Sequence, residues 1–147
     1  MIRVAVFNTN PRRRIPRKFG GRVVRTVTGG ERVAHATLRV IGIDSRTCRK
    51  LNREFLGHDY VTDVLAFSLG EGMRFEGEIY INLDRAQQQA AEYGVSPTHE
   101  RARLVIHGVL HLIGYDDRTT RQSKRMRARE DHYLQRLITR HGGTVRP

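Results

Sequence analysis

Tryptophan is missing from the 147 residues, cysteine occurs once, and acidic side chains are outnumbered 15 to 27 by lysine and arginine. The single thiol, Cys48, has no intramolecular partner, which excludes a disulfide framework and fits a reducing compartment. No apolar run approaches the roughly eighteen residues that a membrane span needs, so no membrane partner is expected. The opening MIRVAVFNTN alternates apolar and polar residues and leads into PRRRIPRK, without the continuous apolar core or small-residue cleavage site of a secretory signal. The expectation is a cytoplasmic protein beginning near Met1 and folded as a single domain over residues 1–147, with its last few residues disordered.

What the chain has in excess is positive charge, a formal +12 with a pI of about 11.1. That bias points to polyanionic partners, nucleic acid first, and against a small neutral substrate. All but three of the basic residues (Lys18, Lys50 and Lys124) are arginines. Arginine's planar fork suits bidentate phosphate contact, although arginine-rich codon usage explains the preference equally well. The turn Arg12 to Arg14 and the last-helix residues Arg118, Arg121, Lys124, Arg125 and Arg129 are candidate phosphate contacts; a solvated charged face is the competing reading for each.

Periodicity predicts a strand near Ile2 to Phe7, a basic turn broken by two prolines, and a helix over Lys18 to Thr28 with Val23, Val24 and Val27 on one face. Ala36 to Ile43 reads as a strand, and Asp44-Ser45 caps a helix to about Phe55 whose buried face carries Cys48, Leu51 and Phe55. Strands follow at Asp63 to Ser68 and Glu78 to Asn82, joined through Gly70, Gly72 and Gly77 as turn residues. A polar helix runs from Asp84 to Gly94, and Ser96-Pro97 opens the next, with proline in its tolerated first turn. Thr119 or Thr120 caps a last helix with the apolar stripe Met126, Tyr133, Leu134, Leu137 and Ile138. The predicted class is α+β: a small mixed sheet of about four strands, helices covering one face, and a buried central helix from Leu104 to Ile113.

That central helix carries HGVLHLIGYDD, His107 to Asp117, where two imidazoles and two carboxylates interrupt an apolar segment. Unpartnered burial of such groups is costly, so either a hydrogen-bond network or a metal ion must satisfy them. Positions four apart lie about 40 degrees apart around a helix, so His107 and His111 share one face, on the stripe of Leu104 and Gly114. Gly114 can end the helix left-handed and let Tyr115, Asp116 and Asp117 double back. Two histidines and a carboxylate, with a fourth position left open, make the donor set of catalytic zinc sites. Core histidines bonded to Asp116 and Asp117 without a metal are the alternative, and spacing alone does not choose. A thermolysin-like peptidase is excluded more firmly, because Gly108 stands where H-E-x-x-H needs its glutamate.

The stretch resembles the signature of the YbeY family of metal-dependent endoribonucleases, H-G-x-L-H-L-x-G-Y-D-H, at every fixed position but the last. LNREFLGHDYVTDVLAF is similar to that family's LN-x-x-Y-R-G-x-D-x-x-TDVLSF. GEIYIN and the terminal helix with Met126, Glu130 and Leu134 are similar too, so the likeness runs from about Leu38 to Leu137. The resemblance implies an α+β fold and one zinc ion per chain held by His107, His111 and Asp117. It implies a single-strand endoribonuclease acting in 3′-end maturation of 16S ribosomal RNA and in ribosome quality control, with precursor ribosomal RNA and the small ribosomal subunit as partners. Catalytic residues beyond the metal ligands stay unassigned. Asp117 replaces the commoner histidine and remains an acceptable zinc ligand, though it weakens the Lewis acid and suits harder ions such as manganese. Leu56 replaces the family arginine and can neither bind phosphate nor stabilise negative charge; Arg53 and His58 are the nearby substitutes. A largely non-catalytic ribosome assembly factor with a structural metal site is therefore the alternative.

Overall fold

Alternation along the strands decides which side of the sheet each helix covers. In the computed structural model, which describes residues 1–70, 75–140 and 145, the strands are β1 (Ile2–Asn8), β2 (Ala36–Ile43), β3 (Val64–Ser68) and β4 (Phe75–Asn82). They form one mixed sheet in the order β1-β2-β4-β3. The pairs β1/β2 and β2/β4 are parallel, and β3 returns antiparallel to β4. The register aligns Val6, Val40, Ile79 and Ala66 across all four strands, and the first three of these belong to the main core.

The helices are α1 (Arg17–Gly30), α2 (Ser45–Leu56), α3 (Leu83–Tyr93), α4 (Pro97–Ile113) and α5 (Thr120–Arg140). Val23, Val24 and Val27 of α1, Leu83 and Ala86 of α3 and Val105, Ile106 and Val109 of α4 fill the main core against the sheet. The helix α4 is central, packing on α1, α3, α5, β3 and β4. Met126, Tyr133, Leu134 and Leu137 of α5 are buried, as their stripe predicts, and Ile138 packs partly buried against them.

Helices cover both faces of the sheet, which corrects the expectation of one. Ile41, Ile43 and Leu65, with Phe67 and Tyr80, point to the reverse side and meet Cys48 and Leu51 of α2. The cause lies in β2, whose C-terminal half is apolar at Val40, Ile41 and Ile43 and so needs cover on both sides, as buried parallel strands do. Two further expectations change. Phe55 is not on the buried face of α2 but 65% exposed, with its ring edge-on to Phe67. Gly77 is not a turn residue but lies inside β4, where Leu112 of α4 leaves no room for a side chain. Gly72 lies outside the described residues, as do positions 141–144 and 146–147 at the C-terminus, where the last few residues are expected to be disordered.

Side-chain caps set the helix starts. Asp44 accepts from the Thr47 N–H, Asn82 from Arg85, Ser96 from His99 and Thr119 from Gln122, at 2.8–3.1 Å. Asp84 accepts from the Ser45 N–H, the Asn10 amide and Arg13, so it ties the basic turn to the starts of α2 and α3. Among the described residues, no helix is long and apolar enough to cross a membrane.

Gly108 lets α4 approach β4. A Cβ there would lie 2.5 Å from the Ile79 Cγ2 and 3.3 Å from its Cγ1, distances that a packed core does not accommodate. Gly108→Ala is expected to destabilise the fold by about 1–3 kcal/mol despite alanine's better helix propensity. Combining it with Ile79→Ala should recover part of that loss, so that the double variant is more stable than the two single penalties predict. Urea melts of all four proteins read the coupling, and strict additivity would show that the two side chains do not compete for space.

Candidate metal centre

Helix geometry brings the two histidines together before any ion is considered. The His107 and His111 rings lie 4.8 Å apart between centroids on successive turns of α4. The helix closes at Gly114, whose φ of +122° strains any residue with a side chain. Its N–H and that of Tyr115 both donate to the Leu110 carbonyl, and the chain then turns back over the histidines. Asp117 Oδ1 comes to 3.4 Å from His111 Nε2, and Oδ2 to 3.6 Å from His107 Nε2.

One ligand atom from each of His107, His111 and Asp117 lies within 4.8 Å of the others, a set able to hold one divalent ion. Asp116 points elsewhere. Its carboxylate accepts the Asp117 N–H and pairs with Arg118, so of the two carboxylates left open by spacing, Asp117 is the one beside the imidazoles.

Behind the histidines runs a buried chain of paired charges. His107 Nδ1 is 2.7 Å from Glu130 Oε2, and Glu130 Oε1 accepts from Arg103 at 3.1 Å. Arg103 grips Glu100 through two N–H groups at 2.6 and 2.8 Å. Gln89 donates to Glu100 and to Asp63, carrying the chain from α5 through α4 to the start of β3. Burial pushes the Glu130 carboxyl up, but the hydrogen bond to His107 and the Arg103 charge outweigh it and hold it below its ordinary value. With Nδ1 engaged by a carboxylate, His107 presents Nε2 to Asp117, the tautomer a metal needs.

The polar line of α4 therefore extends through Arg103 to Glu100. Leu104, expected on that stripe, is buried in the main core. Glu130 received no role from the sequence, although its signal was present: a carboxylate four residues after Met126 and four before Leu134, inside the buried stripe of α5, and only 2% exposed.

A second carboxylate holds the turn. Glu31, at the end of α1, accepts from the Tyr115 hydroxyl at 2.6 Å, from Arg129 at 2.6 Å and from the Tyr133 hydroxyl. Burial and the Glu31 contact push Tyr133 up to about 12. Burial works to raise Glu31 itself, and the two phenols and Arg129 overcome it and lower it. Arg129 is thus engaged inside the fold, Arg125 lies over the Tyr115 ring and Arg13 pairs with Asp84. Of the candidate phosphate contacts, Arg118 stands at the mouth of the metal cleft with its side chain 85% exposed.

The cleft lies between the turn Gly114 to Arg118 and the connection from α2 to β3. Leu56 and His58 line it, whereas Arg53 lines a separate basic groove on α2 with Arg46, Arg49 and Lys50. Arg53 is therefore not placed to do the work of an arginine at position 56.

Removing the Glu130 carboxylate should weaken metal binding without touching a ligand. Glu130→Ala is expected to lower metal affinity by about 10–100-fold, with Glu130→Gln retaining more because its amide oxygen still accepts from the His107 N–H. Competition against a chromophoric chelator measures both; equal affinity in wild type and Glu130→Ala would show that the contact does not orient His107.

Comparison with known proteins places the chain among relatives. The family described as Endoribonuclease YbeY matches residues 11–138. The chain is 44% identical over 132 residues to a protein of that name from Chlorobaculum tepidum, covering 90% of this chain and 96% of the relative. It is 40% identical over 134 residues to one from Chlorobium phaeovibrioides, covering 91% and 90%. A solution structure of a Thermotoga maritima protein superposes with a TM-score of 0.65 at 27% identity, covering 95% of this chain and 91% of the other. A family match over most of the chain, together with relatives at 40 and 44% identity over nine-tenths of it, settles the relationship: the chain belongs to the Endoribonuclease YbeY family.

Proposed function

We propose that the protein is a zinc-dependent endoribonuclease that cleaves single-stranded RNA, with His107, His111 and Asp117 holding one zinc ion. The convergence of these three side chains carries the reading. Asp117 faces His111 Nε2 with Oδ1 at 3.4 Å and His107 Nε2 with Oδ2 at 3.6 Å. These distances are longer than good hydrogen bonds, which favours an ion over the alternative of histidines bonded directly to the aspartate. When bound, zinc supplies Lewis acidity toward a phosphodiester oxygen. The chain's own part is to fix His107 through Glu130, to hold Asp117 on the turn anchored by Tyr115, and to attract RNA through its +12 charge.

The family relationship supports a place in 3′-end maturation of 16S ribosomal RNA and ribosome quality control, on the small subunit and in the cytoplasm, with the chain acting as one domain. Leu56 favours a second reading, a ribosome assembly factor with little catalysis. It lines the metal cleft at 47% exposure and brings no cation there.

Purified protein is expected to carry about one zinc per chain, and His111→Ala to lose most of it. The same substitution should abolish cleavage of single-stranded RNA while binding at low salt persists and falls steeply as salt rises. Retention of zinc by His111→Ala would remove the metal assignment, and equal cleavage by both proteins would mean that a contaminant does the cutting. Zinc binding and RNA binding without cleavage would select the assembly-factor reading. Ribosomal RNA 3′ ends in host cells with and without the protein test its place in maturation.

A further inference from the structure

The connection between α2 and β3 is held from inside while its rings are left outside. The His58 N–H donates to the Asn52 carbonyl. The Asn52 side chain donates to the Tyr60 carbonyl and that of Asn82 to the Thr62 carbonyl, both at 3.0 Å. Both asparagines are buried. On the outer side Arg49 clamps Asp59 with two hydrogen bonds of 2.8 and 3.2 Å. Backbone pinned at this many points fixes where the intervening side chains stand. Yet Tyr60 is 55% exposed, with its ring 5.2 Å from that of His58 and tilted 32° from it.

Those two rings and Leu56 line the metal cleft, a space of about 700 Å³ whose other wall carries His111, Asp117 and Arg118. One wall is aromatic and apolar; the other carries His111 and Asp117 of the candidate metal group, with His107 lining the adjoining pocket, and the exposed guanidinium of Arg118, paired with Asp116. A nucleotide has the same division, a flat base with π-faces and an anionic phosphate. Aromatic side chains that bind single strands stack on the base and tolerate any sequence, because every base offers a π-face.

We propose that Tyr60, backed by His58 and flanked by Leu56, is a stacking platform for one unpaired nucleobase of the RNA strand, with the adjoining phosphate turned toward Arg118 and the metal group. The proposal rests on the reading of the protein as a ribonuclease and adds the subsite that makes it select single strands. A base already stacked within a duplex does not offer its face to Tyr60, whereas one splayed from a single strand does. Tyr60 is a binding residue for the base, and its loss leaves the metal group and its buried supports untouched.

The test uses the full-length zinc-loaded protein and a short single-stranded RNA containing 2-aminopurine, whose fluorescence is quenched by stacking, at a salt concentration that suppresses general phosphate binding. Wild type and Tyr60→Phe are expected to quench alike, and Tyr60→Ala to lose the quench and bind about tenfold more weakly. Zinc content and melting temperature should stay unchanged. Tyr60→Leu, which keeps apolar bulk but has no π-face, should behave like Tyr60→Ala and serves if the alanine variant fails to fold. Where cleavage is measured, the loss should appear in KM more than in kcat. Wild-type quench that survives in Tyr60→Ala and Tyr60→Leu, or a wild type that binds RNA without quench, overturns the platform and leaves the ribonuclease reading intact. Quench that depends on Tyr60 in a protein that never cleaves upholds the platform and overturns the ribonuclease reading.

Discussion

The structure depends on one constraint: four ionisable side chains, Glu100, Arg103 and His107 of α4 and Glu130 of α5, are taken out of water and must satisfy one another. Glu100 and Glu130 are both nearly inaccessible, and Arg103 lies between them at 2.6 and 3.1 Å. An unpaired charge in that position would cost several kcal/mol, so α3, α4 and α5 must dock with their polar groups in register. Arg103 remains charged because the two carboxylates overcome the burial that opposes it. Hydrophobic packing brings the helices together without specifying rotation or slide to better than a side chain, and the ion-paired line supplies that specification. Its last member is His107, and the candidate site inherits the precision of the core.

The second anchor, around Glu31, governs the turn rather than the helix. Asp117 is itself exposed on the turn after α4, and a carboxylate on a loose turn would hold a metal poorly. Tyr115, two residues earlier, packs against the main core and donates to Glu31 at the far end of α1. His107 is thus fixed from α5 and the turn that carries Asp117 from α1, elements that meet each other through Gly30 and Tyr133. A Cβ on Gly30 would fall 2.4 Å from the Tyr133 ring, so the distance between the two anchors is itself set by packing. Substitutions near Gly30 or Glu130, remote from the ligands in sequence, therefore act on the site through geometry.

How far the fold was legible varies with the range of the interaction. Local signals placed nearly every element: the valines of α1, the caps Asp44 and Ser96, and the stripe from Met126 to Leu137. What the sequence did not disclose was which face each strand turned to which helix. The residues of β2 are apolar on both sides, and only the register with β4 shows that Ile41 and Ile43 belong with Cys48 rather than with α4. The histidine pair was legible because helical spacing alone makes the two rings converge. Glu130, Arg103 and Glu31 were not, because each acts through a partner 23 to 102 positions away, which no local pattern encodes. Glu130 came nearest to legibility, as a charge inside an apolar stripe.

The two halves of the cleft are supported by different physics, and this bears on Leu56. The metal half is wired into the core by ion pairs, so its chemistry cannot drift without disturbing folding. The α2–β3 half rests on backbone contacts to Asn52 and Asn82, which fix the path of the chain but leave the side chains at 56, 58 and 60 free to vary. A leucine at 56 therefore changes what the cleft binds without changing how it is built. The wall it joins, with Tyr60 and His58, suits a base, while cationic contact is left to Arg118 across the gap. An arginine at position 56 would add a second cation to the cleft beside Arg118. With leucine there, the cleft keeps an apolar and aromatic wall opposite a polar one that carries Arg118, the division on which the proposed base platform rests.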